Sequence, residues 1–170
     1  MLDEQAASLA RRAAVAARVA GYTYGSILVL SVLVAGAKAF PGEAGHIAVL
    51  VGATALVFWL AHVYAHGLGD SVAHDRRLTL AELAHIARRE AAIVEAAVLP
   101  VAALLLGAFG VLSTSTAGWV AFGCGIAVLV GQGIRYARVE RLDVLATLLV
   151  IAVNIGLGLL LIALKLFVSH

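Results

Sequence analysis

Five apolar stretches, near residues 22–40, 45–66, 91–112, 118–134 and 144–168, are separated by short polar connections. A segment of about 20 apolar residues crosses a bilayer core of roughly 30 Å. Lipid offers no partner to a bare peptide group, so such a segment closes its own hydrogen bonds as a helix. These stretches predict an all-α fold, a polytopic membrane bundle with five transmembrane helices. They also predict a single membrane domain over 1–170.

Composition agrees. Apolar residues make up 63% of the 170 and charged residues 13%, against about 45–50% and about 25% in soluble domains. The formal charge is +2, with ten arginines and two lysines. The arginines sit at the ends of apolar stretches, where they orient a protein in the membrane rather than line a nucleic-acid groove. A lipid bilayer is therefore the expected partner, and nucleic acid is not. The single Cys124 cannot form an intramolecular disulfide.

The first 20 residues are alanine-rich and carry Arg11, Arg12 and Arg18, which predicts a cytoplasmic N-terminal helix capped by Asp3 rather than a cleavable leader. Tyr22 and Tyr24 open the first span as interfacial aromatics. Pro41-Gly42 ends it, and Gly67 and Gly69 are expected to stop or bend the second. Residues 67–90 read as a cytoplasmic helical hairpin. Within it Thr79-Leu80-Ala81-Glu82 fits a capping box, so a third helix should start there and project from the membrane before entering it near Ala91. A kink is expected at Pro100, and a tight turn at 113–116.

Placing the N-terminus inside puts all ten arginines on the cytoplasmic side and leaves only Lys38 and Lys165 toward the other, as the positive-inside rule requires. The chain is therefore expected in a cell membrane, the bacterial inner membrane. Contact between spans should use pairs of small residues four apart: Gly21/Gly25, Ala48/Gly52, Ala103/Gly107, Ala121/Gly125 and Ala152/Gly156.

Ionisable groups in a membrane are costly and point to function. His62 and His66 share a helical face, and Asp70 and His74 continue the spacing. On the returning helix stand Glu82, His85, Arg88 and Arg89, then Glu95 inside the span. Folding these segments antiparallel about Arg77 predicts His66 and Asp70 near His85 and Arg88, and His62 near Glu95. Three readings are open. His62 and Glu95 form a structural pair; or they begin a proton or ion relay with His66 and His85, because histidine titrates near neutrality; or His62, His66, Asp70 and His85 hold zinc or iron. Otherwise no cofactor is expected. Asn154, in mid-span, needs a partner on another helix, on a second copy or in a pore. Arg135, Arg138 and Arg141 follow an apolar run and read as an anchor, not a voltage sensor.

The stretch Phe58-Trp59-Leu60-Ala61-His62-Val63-Tyr64-Ala65-His66, with Tyr22-Thr23-Tyr24-Gly25, resembles small integral membrane proteins of high-GC actinobacteria. That resemblance implies a membrane location and assigns no activity. A weaker resemblance is to seven-span hydrolases of the adiponectin-receptor and alkaline-ceramidase type, which set histidines and an aspartate around zinc. This chain has five apolar stretches and lacks a second histidine pair toward its C-terminus.

These readings favour an oligomeric, channel-like or transport protein for a small ion, not an enzyme, with a relay of His62, Glu95, His66, His85 and Asn154. The alternatives are a membrane metal-dependent hydrolase and a scaffold or accessory subunit.

Overall fold

The computed structural model describes residues 2–168, with side chains for 4–160 and Ala163. The expected Asp3 cap and Lys165 lie outside the described side chains, and Ser169-His170 outside the described residues. Six helices follow one another: α1 (Leu2–Ala39), α2 (Ala44–Ala73), α3 (Leu80–Arg89), α4 (Ala92–Ala108), α5 (Thr114–Glu140) and α6 (Val144–Val168).

The alanine-rich N-terminus and the first apolar stretch form one helix of 38 residues, about 57 Å long. Good helix formers fill it, and nothing breaks it before Gly42, whose φ of 86° makes the turn into α2. α2 does not stop at Gly67 and Gly69 but runs on to Ala73. Gly67 is buried where the chain returns: a Cβ there would stand 3.3 Å from Leu78 and 3.5 Å from Leu83. The room left by a missing side chain offsets the roughly 1 kcal/mol that glycine costs a helix.

α3 starts as its sequence predicts, with Thr79 and Glu82 forming the capping box. It does not run straight on into the membrane. The chain bends by 52° between α3 and α4. Pro100 lies fully buried inside an unbroken α4, so the sharp bend is ten residues earlier than the proline. Gly110, at φ 76°, closes α4. Ser113 then caps α5 by accepting from the Thr116 N–H at 3.2 Å. Asp143 caps α6, accepting from the Ala146 N–H at 2.8 Å.

α1, α2 and α5 are each long and apolar enough to cross a membrane, and α3 with α4 makes a fourth candidate if the bent pair is one span. α6 is apolar along its described stretch, Val144–Leu160. The core joins Val29 and Leu33 of α1, Ile47 and Val51 of α2, Ala97 and Leu104 of α4, and Ala121 of α5. The outer surface is apolar too: Val49, Val57, Val98, Trp119 and Leu148 are all exposed. Soluble monomers rarely show contiguous apolar surface on this scale, whereas hydrocarbon solvates it without cost.

Small residues let the helices meet. A Cβ at Gly25 would sit 2.7 Å from the Ile93 carbonyl oxygen, so α1 and α4 touch backbone to backbone. Gly107 faces Ala117 and Ala44, and Gly125 faces Leu30. Ala48, Ala103 and Ala121 are buried. Four of the five expected pairs thus pack within the chain. The fifth turns outward, with Ala152 exposed and nothing within 4 Å of a Cβ at Gly156.

Candidate functional site

The polar side chains gather where α1, α2, α3 and α4 meet, at the arginine-rich end of the bundle. The register of α2 on α4 decides which of them touch. A Cβ at Gly45 faces Ala108, and one at Gly52 faces Val101. Continued along both helices, this register sets His62 level with the bend at Glu90–Ala91, about one turn short of Glu95. The expected His62–Glu95 pair is therefore not formed.

Helix α1 supplies both residues with other partners. Tyr22 and Tyr24 are two apart, so they point to nearly opposite sides of the helix. Tyr22 reaches α4, where its hydroxyl donates to Glu95 Oε2, and Arg18 Nη2 lies 2.7 Å from the same oxygen. The Arg18 guanidinium also stands over the Tyr22 ring at 5.6 Å. Tyr24 turns to α2, its ring centroid 5.0 Å from that of His62.

A second group begins at His62. Its Nδ1 donates to the Phe58 carbonyl at 2.9 Å, and His66 Nδ1 contacts the His62 carbonyl at 3.0 Å. With Nδ1–H committed to the helix behind it, a neutral ring keeps Nε2 as a proton acceptor. The two rings are 6.3 Å apart. His66 Nδ1 is also 3.8 Å from Glu90 Oε1, and Arg89 Nε donates to that oxygen at 3.1 Å. Glu90 has a side chain only 13% exposed, and the Arg89 guanidinium supplies its counter-charge. Trp59 Nε1 donates to the Ala87 carbonyl at 3.0 Å and holds α3 against α2.

The other expected site residues lie apart from this row. His85 is exposed on α3. Asp70 is half-buried, and its main-chain carbonyl meets His74 Nδ1 at 2.9 Å. Among the described residues no three His, Cys, Asp or Glu side chains come together to hold a metal ion. The set His62, His66, Asp70 and His85 is thus not assembled, because α2 continues as a helix past His66 and carries Asp70 a further turn along. Asn154 is half-buried against α5, its amide nitrogen 3.5 Å from where a Cβ of Gly133 would be.

In the loop before α3, Arg76 holds Glu82 at 2.5 Å. That ion pair, with the Thr79 N–H and hydroxyl, pulls the Glu82 carboxyl down to about 2.

Sequence reasoning passed over Glu90 and the role of Arg18. Glu90 follows two arginines and looks like a solvated charge. The only local hint is its position four residues after Ile86, the buried residue of α3. Two further polar atoms, Ser26 Oγ and Gln132 Oε1, are buried without a hydrogen-bond partner among the described residues. No known family model matches the chain, and neither a curated protein nor a solved structure is detectably similar to it.

Proposed function

We propose that this chain is a five-span protein of the bacterial inner membrane, N-terminus inside. In this reading it acts as a homo-oligomeric, channel-like or transport protein for a small ion, with proton-linked entry at the arginine-rich end. The observation that carries the reading is the row Tyr24, His62, His66, Glu90. It runs from the exposed Tyr24 ring through half-buried His62 to exposed His66 and ends on a largely enclosed carboxylate. Imidazoles with a free Nε2 accept protons, and Glu90 balances the charge that a protonated His66 gains. Beyond His62 the interior is filled by Val29, Val51 and Leu104. A through-path consequently runs between copies rather than inside one. Outward small residues, Gly123 and Gly131 on α5 and Gly156 on α6, leave room for close helix contact there.

Proton and cation flux into liposomes containing the purified protein tests this. His66→Ala and Glu90→Gln should each cut flux by an order of magnitude, while His85→Ala leaves it unchanged. Equal flux in wild type and both variants rejects the relay. The packed interior also favours a second reading, an accessory subunit without transport of its own. Absence of flux in the wild type, with co-purification of one stoichiometric partner, selects that reading.

A further inference from the structure

Helix α3 presents three distinct faces. Ile86 and Glu90 turn into the bundle, and Ala87 is tied to Trp59. At 100° per residue, His85 and Arg88 share an exposed polar side. Leu80, Leu83 and Ala84 share an exposed apolar side, with Leu80 86% exposed. This apolar edge does not stand alone. Tyr64, Leu68 and Val72 on the last turns of α2 are exposed beside it, and a shallow hollow of about 240 Å³ lined by Tyr64, Leu68, Leu78 and Leu83 joins the two helices. Arg77 and Arg88 are exposed around the patch, and Arg76 beside them is paired with Glu82.

We propose that α3 is an interfacial helix. It lies on the arginine-rich surface of the same bilayer that the longer helices cross, with Leu80, Leu83 and the end of α2 in the acyl boundary and the arginines among anionic headgroups. The proposal rests on the reading of the chain as membrane-spanning. Two observations select lipid as the occupant. The apolar edge is continuous with the lipid-facing side of α2, through Leu60 and Val57. The 52° bend turns α3 away from the line of α4, which is the geometry of a helix that leaves a span and lies down. An apolar edge flanked by arginines is also what binds helices to anionic membrane surfaces.

The test uses the full chain with Cys124→Ser, reconstituted in mixed phosphatidylcholine–phosphatidylglycerol vesicles. An environment-sensitive fluorophore is placed at Leu80→Cys, Leu83→Cys, His85→Cys or Val57→Cys, one at a time. Labels at 80 and 83 should emit in the blue, be quenched by lipids with a nitroxide high on the acyl chain, and resist aqueous iodide several-fold better than the label at 85. If 80 and 85 are equally open to iodide, α3 stands in water and the proposal falls. If 80 resists iodide but lipid nitroxides do not quench it, protein covers the patch and the proposal falls equally. The label at 57 reads the spanning itself through a nitroxide deep in the chain. Quenching at 57 without quenching at 80 overturns the surface placement alone, and failure at both overturns the membrane reading with it.

Discussion

At Gly25 the backbones of α1 and α4 come nearer than any side chain would allow. A Cβ there would meet the Ile93 carbonyl oxygen at 2.7 Å and its Cα at 3.0 Å, and neither can rotate away. Gly25→Ala should therefore destabilise the protein by about 1–3 kcal/mol, the usual cost of overpacking, in detergent unfolding monitored by circular dichroism. Gly69→Ala, at an exposed position with nothing within 4 Å, should stay within about 0.5 kcal/mol of wild type or gain slightly from better helix propensity. The small-residue pairs were legible in the sequence because their spacing is that of one helix face. Which pairs face inward was not, since Ala121/Gly125 and Ala152/Gly156 look alike until α5 and α6 are placed. Glu95 makes the same point. Its partner Arg18 lies 77 positions away, and a register difference of one turn moved it from His62 to α1.

Among the elements, α3 shows how local and tertiary signals divide. Its start was legible because Thr79 and Glu82 satisfy each other's backbone groups within one turn. Its end was not: Arg-Arg-Glu-Ala-Ala favours a continuous helix, and contacts of Glu90 with His66 and of the Ala87 carbonyl with Trp59, both on α2, go with the break instead. The cap carries a pH dependence of determined sign. Glu82 ionises at about 2 in the folded hairpin against its usual 4.5, so its contribution is complete above 4.5 and is lost as pH falls toward 2. Hydrogen exchange of the Leu80–Leu83 amides should accelerate across that window beyond the rate expected for free peptide, and Glu82→Gln should abolish the transition while raising exchange at neutral pH. A transition that persists in Glu82→Gln would assign the pH dependence to another group.

For the molecule as a whole, helical membrane character was legible because hydrophobic length and composition are properties of the chain alone. Orientation rests on the arginines, which collect at one end of the bundle: Arg18 beside α4, Arg88 and Arg89 on α3, Arg135 and Arg138 at the end of α5. In the proposed five-span reading, with α1, α2, α4, α5 and α6 as the crossings, the two termini should lie on opposite sides of the membrane. Reporter fusions active only in the cytoplasm should work at the N-terminus and fail at the C-terminus. Activity at both would mean an even number of crossings and would require one of the five to be a re-entrant or surface helix.

Helix α1 touches each of the other five and precedes them in the chain. Each later helix accordingly finds α1 already made, while α2 also awaits α4, against which it packs more extensively. Tyr22 and Tyr24, on opposite flanks of this central post, tie any turning of it to both polar groups at once.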